Sequence, residues 1–399
     1  MFYGFDGAAA LDKKAFNITE PLFDHVAYDL DKKLWLLLQR ACQNNAPATG
    51  DAFSLSRETV KKIADATPEE LSRLFSGAVP SFGINNLQQT INRFEEIFSQ
   101  NIEGFNISCV YCFELNFLQT IQLMALKDLY TTQAKTGIPI AILEKLIRSN
   151  EATIEALANS GIQFRLLCSQ EIVFEILSSN DDSLIQNHKL RKIQQCLTTN
   201  GDQVLEPVPS LKFPISKTNC DLIGKLMFVA GFTKKIVGKE LLLTGKQVLR
   251  IYTSVLNDGL KINNPSSRAA RSSATLIRGY AGKIQAAMIA QLYINLGGAD
   301  VFRKTNINAL IRAYRIYKEI LQEQKHLDVK KYSAIDIKDA YSFISELRST
   351  RDAGMISFCR NCKTSYFSSI NERTFIECPF CYIPKDLFKK YKEIEEATV

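Results

Sequence analysis

DKKLWLLLQRACQNNAPATGDAFSLSRETVKKIADATPEELSRLFSGAVPSFGI, Asp31 to Ile84, decides the fold, because its apolar pattern occurs twice in the chain. At a constant offset of 83 residues it returns in ELNFLQTIQLMALKDLYTTQAKTGIPIAILEKLIRSNEATIEALANSGIQFRLL, Glu114 to Leu167. Leu55, Val60, Ile63, Leu71, Leu74 and Val79 fall on Ile138, Leu143, Leu146, Ile154, Leu157 and Ile162. Leu34-Trp35 falls on Phe117-Leu118. The two copies share apolar register and few letters. Each reads as a long helix, a loop and two shorter helices. Thr67-Pro68-Glu69-Glu70 is a helix start, with Thr67 as N-cap, Pro68 in the first position and Glu70 closing a capping box. Asn150-Glu151 is the equivalent start in the second copy, a cap followed by an acid that suits the helix dipole. Helices with one apolar face bury it against a partner, and two copies can do so in cis as a pseudo-two-fold pair. This half reads as an assembly module.

Working outward, the first copy ends in a single helix near Leu87 to Phe98. The second continues through QEIVFEILSSNDDSLIQNHKLRKIQQCL, two helices about a polar turn at Ser178 to Asp182. Lys189, Arg191 and Lys192 give the later helix a basic face. Cys109 and Cys112 form a C-x-x-C in an apolar setting with no second pair beside it, which favours buried structural thiols. His25, His188 and His326 are isolated and carry no role. From Thr198 to Lys217 the chain turns polar, with Pro207, Pro209 and Pro214, and reads as a linker.

A chain of 399 residues with 46% hydrophobic content holds more than one domain. The division expected is residues 1–105 and 106–197 for the two copies, a linker at 198–218, a helical domain at 219–325 and a C-terminal region at 326–399. The apolar runs are too short to span a bilayer and no signal peptide is read at the start. Ten cysteines in such a chain do not suggest a disulfide scaffold, so a cytoplasmic location is expected. Charge is divided unevenly: residues 1–210 hold 18 Lys+Arg against 25 Asp+Glu, and residues 211–399 hold 31 against 17. A polyanion is the natural partner of the basic half.

GFTKKIVGKELLLTGKQVLRIYTSVLNDG, Gly231 to Gly259, reads as a helix-turn-helix. A first helix, near Thr233 to Leu242, meets a turn at Leu243-Thr244-Gly245, and Thr244 can cap the second. Val248, Ile251, Tyr252 and Val255 recur at helical spacing as an apolar stripe. Lys246, Gln247, Arg250, Ser254 and Asn257 project elsewhere, and such side chains hydrogen-bond base edges and phosphates. The same pattern also suits an ordinary helical hairpin. Residues 230–283 hold ten Lys+Arg against Glu240 and Asp258, which favours DNA. Lys246, Gln247 and Arg250 are the expected groove contacts. Thr244, Lys235, Lys239, Arg268, Arg271 and Arg278 complete the expected DNA-binding set, with Asn263 to Ser273 a basic loop along the backbone. Ala281 to Leu296 and Ile307 to Gln324 read as amphipathic helices, and another near Ile335 to Leu347 leads to the cysteines.

FCRNCKTSYFSSINERTFIECPFCY, Phe358 to Tyr382, contains two C-x-x-C knuckles, Cys359 with Cys362 and Cys378 with Cys381. Two such pairs close a tetrahedral shell about one zinc ion, and four thiolates leave no open position for catalysis. A structural zinc site on a small β ribbon is expected, with Tyr366, Phe367 and Phe375 packing on it. Since no nucleophile–base constellation is found, an enzyme is not expected.

KLMFVAGFTKKIVGKELLLTGKQVLRIYTSVL, INALIRAYRIYKEIL and the four-cysteine segment together resemble the FlhC subunit of the bacterial flagellar master regulator, over roughly residues 219–385. Glu114 to Leu166 resembles its partner subunit, FlhD, chiefly in length and apolar register. The resemblance implies zinc ligation by the four cysteines and a reader helix from Gly245 to Leu256. It further implies a ring of four FlhD-like and two FlhC-like units that binds double-stranded promoter DNA and activates transcription through RNA polymerase. Two FlhD-like copies and one FlhC-like copy in one chain make half of that ring, so a homodimer is expected. The expected fold is mainly α, with tandem helical units, a helical bundle carrying the helix-turn-helix and a small C-terminal zinc-ribbon-like β element. Flagellar genes are the implied target. Such regulators are also similar to activators carried on conjugative elements. Outside transcription, the alternatives are an RNA- or single-strand-binding zinc protein and an assembly scaffold.

Overall fold

The computed structural model describes residues 25–100, 113–201, 205–209, 217–262, 270–323, 334–348, 354–370 and 377–381. They are mainly helical, with two small antiparallel sheets. The first half begins with α1 (His25–Asn44), α2 (Ala46–Phe53), α3 (Arg57–Asp65), α4 (Pro68–Ser72), strand β1 (Phe82–Ile84) and α5 (Leu87–Phe98). It continues with α6 (Phe113–Lys127), α7 (Leu129–Thr136), α8 (Ile140–Arg148), α9 (Glu151–Ala158), β2 (Phe164–Leu166) and α10 (Gln170–Ser178). Helices α2, α3, α4 and α5 begin at 46, 57, 68 and 87; adding 83 gives 129, 140, 151 and 170, where α7, α8, α9 and α10 begin. Local chemistry sets several of these starts. Thr67 and Glu70 make the reciprocal capping bonds at α4, and the Asn150 side chain accepts from Thr153 N at α9.

The loop read after each long helix is itself helical. Asn45 Oδ1 accepts from Ala48 N and Pro47 sits in the first turn, so α2 is capped and started within the stretch.

The segments 25–98 and 113–178 interlock. β1 pairs antiparallel with β2 in the register Phe82↔Leu166, Gly83↔Arg165, Ile84↔Phe164. Helix α5 packs on α8 and α9 of the later segment, and α10 returns to pack on α3 and α4. Between them runs an aromatic stack drawn from both, with ring centroids 5.0 Å apart for Trp35–Phe82, 5.6 Å for Phe82–Phe113 and 4.5 Å for Phe113–Phe164.

The second half comprises α11 (Asp182–Gly201), α12 (Lys217–Ala230), α13 (Lys234–Leu241), α14 (Gly245–Asn257), α15 (Ser273–Leu276), α16 (Tyr280–Gly297), α17 (Ile307–Glu323), α18 (Ile337–Glu346) and the hairpin β3 (Gly354–Phe358) and β4 (Ser365–Ser369). Helix α16 is the central element. Rather than showing an amphipathic stripe, it is buried on all sides, because α7, α11, α17 and β4 each cover part of it. The chain also stays helical past Thr198, where the sequence reading starts a linker. α11 runs on to Gly201 with Thr198 and Asn200 buried, and Val208 lies against α16, donating its N–H to Leu296 O at 2.7 Å. The basic face read on α11 turns inward: Lys192 bonds Leu74 O and lies 3.9 Å from buried Asp31, while Arg191 pairs with Glu175 at 3.0 Å.

Helix α17 joins the second half to both segments of the first. Arg312 meets Asp128 at 3.1 Å, and Glu319 meets Lys135 at 2.8 Å and Arg315 at 3.3 Å. Its last residue, Glu323, accepts from Ser76 Oγ at 2.9 Å, Ala78 N at 2.6 Å and Gly77 N.

Candidate metal centre and candidate nucleic-acid interface

The β3–β4 hairpin pairs Gly354↔Ser369 through Phe358↔Ser365, and its turn carries the first cysteine knuckle. Cys359 N donates to Thr364 O at 2.9 Å and Lys363 N to Cys359 O at 2.8 Å, closing the turn. Lys363 takes the left-handed conformation there, with φ of 53°. The second knuckle folds over it, with Cys381 N bonded to Cys378 O at 3.3 Å. The Sγ atoms of Cys359, Cys362, Cys378 and Cys381 all lie within 4.8 Å of one another. Cys359 and Cys381 are 3.8 Å apart, and Cys362 and Cys378 3.4 Å. A zinc–sulfur bond of about 2.3 Å in a tetrahedron requires sulfurs about 3.8 Å apart, so the four thiols fit a single ion. Crowding already separates their acidities: the Cys378 thiol, by hydrogen bonding, holds Cys362 down at about 4, while Cys378 is itself pushed up. The four cysteines can therefore hold a metal ion.

Sequence reasoning missed what anchors this centre. Gln195 on α11 donates to Cys362 O at 2.7 Å and accepts from Ser169 N at 2.8 Å. Gln194 donates to Ser365 O at 2.7 Å, and the Thr198 hydroxyl accepts from Ser365 N at 3.2 Å. All three side chains are buried. The available signal was a run of polar residues, Gln194-Gln195 and Thr198, inside a helix that also buries Ile193, Cys196 and Leu197. β4 also packs along α16, and Phe367 lies 5.2 Å from Phe343 on α18.

In the basic region α12, α13 and α14 pack pairwise. Thr233 caps α13, Leu242 ends it in the left-handed conformation, and Gln247 Oε1 accepts from both Thr244 N and Thr244 Oγ1 at 2.8 Å to start α14. Val248, Ile251 and Val255 are buried; Tyr252 is half-buried, 5.2 Å from Phe228 and 4.1 Å beneath Lys234 Nζ. On the opposite face Lys246, Leu249, Arg250, Thr253 and Asn257 are exposed, and Lys235 and Lys239 are exposed on α13.

The remaining expected contacts divide. Arg278 is exposed before α16. Arg271 instead binds Asp339, a fully buried carboxylate, through Nε at 2.9 Å and its backbone N–H at 2.7 Å. That pair ties the segment before α15 to α18. Arg250 Nη2 meets both oxygens of Asp221, at 2.8 and 3.0 Å. Arg268, Cys109, Cys112, His326 and Phe375 lie outside the described residues. No helix among the described residues is long and apolar enough to cross a membrane. Searches of protein-family models, curated proteins and solved structures found no match to this chain.

Proposed function

We propose that this chain is a bacterial transcription regulator that binds double-stranded promoter DNA by laying α14 in the major groove, with one structural zinc ion on its four cysteines. The observation that carries the reading is the two-sided character of α14. Three apolar side chains are buried on one face, while Lys246, Arg250, Thr253 and Asn257 stand exposed at i, i+4, i+7 and i+11 on the other. A helix so held, three residues after a shorter one, is the arrangement by which a helix-turn-helix offers side chains to base edges. Lys235, Lys239 and Arg278 supply exposed cations for phosphates. Leu249, 53% exposed on the same face, suits the methyl group of thymine. Zinc is the ion proposed because four thiolates within 4.8 Å of one another suit its radius and tetrahedral preference.

A single-strand or RNA reader would display aromatics among its cations. Here Phe232 is buried and Tyr252 is packed, which favours duplex. The resemblance to the FlhC and FlhD subunits supplies the rest of the proposal. Two chains form a homodimer with four FlhD-like and two FlhC-like units, which activates transcription through RNA polymerase, with flagellar genes as the implied target. Selection of duplexes from a random pool, followed by titration with Lys246→Ala and Arg250→Ala variants, tests the interface. Loss of affinity in both supports it, and unchanged affinity in both removes α14 as the reader.

A further inference from the structure

The reader proposed above carries a carboxylate at its centre. Asp221 belongs to α12 and Arg250 to the exposed face of α14, yet one guanidinium nitrogen, Nη2, meets both Asp221 oxygens at 2.8 and 3.0 Å. Both side chains remain open to solvent, Arg250 51% and Asp221 38% exposed. A pair so exposed contributes little to stability, so its value lies elsewhere. Only Nη2 is engaged. Nε and Nη1 have no partner among the described residues, which leaves about three of the five N–H donors of the guanidinium for a ligand.

We infer that Asp221 is a specificity-determining residue of the α14 interface, positioning Arg250 for the edge of a guanine. The inference rests on α14 being the DNA reader. Two physical effects follow from the carboxylate. An arginine on its own has many rotamers and pairs readily with any phosphate, so its contact adds affinity without information. Fixed by Asp221, the guanidinium presents its free donors in one direction, where a guanine offers the O6 and N7 acceptors. The carboxylate also repels phosphate oxygens that approach Arg250 out of register, which weakens binding to the wrong sequence. Asp221 therefore costs affinity for DNA in general and confers discrimination.

The test uses the full chain in five forms: native, Asp221→Asn, Asp221→Glu, Arg250→Ala and the double variant of Asp221→Asn with Arg250→Ala. Each is titrated by fluorescence anisotropy against a duplex enriched by the native chain from a random-sequence pool, and against a shuffled duplex of equal composition. Asp221→Asn should bind the shuffled duplex more tightly, and the ratio of the two affinities should fall about tenfold, the size expected for loss of one bidentate base contact. Arg250→Ala should lower the ratio by a similar factor, and Asp221→Asn should add nothing in its presence, because the carboxylate acts through the arginine. Asp221→Glu, which keeps the charge, should recover part of the ratio. An unchanged ratio in Asp221→Asn, alongside a fall in Arg250→Ala, overturns the role of Asp221 while leaving α14 as the reader. A pool from which the native chain enriches no duplex removes the DNA-binding reading itself, and this inference with it.

Discussion

Replacing Glu319 by alanine should weaken the junction between the two halves more than any single surface change. The Glu319 carboxylate lies between Lys135 Nζ at 2.8 Å and Arg315 at 3.3 Å, and the Lys135 and Glu319 side chains are only 2% and 3% exposed. Removing the acid strands a lysine that water does not reach. Breaking a buried pair in this way costs about 3–5 kcal/mol. With an unfolding entropy of about 2.1 cal/mol/K per residue over 399 residues, a loss of 4 kcal/mol lowers Tm by about 5 °C if the chain melts as one unit. Chemical denaturation followed by circular dichroism measures the change. Combining Lys135→Met with Glu319→Leu removes both charges and fills the space, and should recover most of the loss. Should Glu319→Ala cost less than about 1 kcal/mol, and the double variant prove simply additive, water must reach the pair and α17 does not dock on α7 as described.

Three further outcomes are expected. Chelation, or Cys378→Ser, should lower stability and duplex affinity together, because metal binding to preformed ligands is folding free energy; cobalt substitution should give a tetrathiolate absorption band at one ion per chain. Burial raises the Glu323 carboxyl above the ordinary glutamate range despite the bonds it accepts from Ser76, Gly77 and Ala78. A group whose folded value is raised contributes stability below its unfolded value and loses it as pH rises through the folded one. Stability should therefore decline upward from about pH 4.3, and Glu323→Gln should flatten that slope in denaturation series. Gly282→Ala should be severely destabilising, since a Cβ there would sit 1.8 Å from Leu276 O; a melting temperature equal to that of the native chain would contradict the close approach of α15 and α16.

What could be read from the sequence was mostly local. The capping residues Thr67, Glu70 and Asn150 act within one turn, and the bounds of α5 agree with the Leu87–Phe98 reading. The apolar stripe of α14 and the spacing of the four cysteines are likewise short-range patterns. What could not be read depends on distant partners. Lys192, Arg271 and Arg250 look alike in a charge count, yet one is buried against Leu74 and Asp31, one holds the buried Asp339, and one stands in solvent beside Asp221. The pairing of β1 with β2 joins three-residue strands about 80 positions apart, too short for a period-two pattern to emerge. Helix α16 has an apolar stripe in sequence, but its Gln285, Gln291 and Asn295 are buried as well, because neighbours enclose every side. Thr198 and Asn200, read as the start of a linker, are buried polar residues tied to the core: the Thr198 hydroxyl donates to Gln194 O, and Asn200 Nδ2 donates to Lys135 O at 2.6 Å.

The salt dependence of duplex binding tests the central claim most directly. A labelled duplex and a single strand of equal length are titrated with the full chain at several potassium chloride concentrations. If Lys235, Lys239 and Arg278, all exposed, neutralise phosphates, log K should fall with log salt at a slope of about −2.7 per chain, and the duplex should bind more tightly throughout. Binding that ignores salt, favours the single strand or fails for both would contradict it.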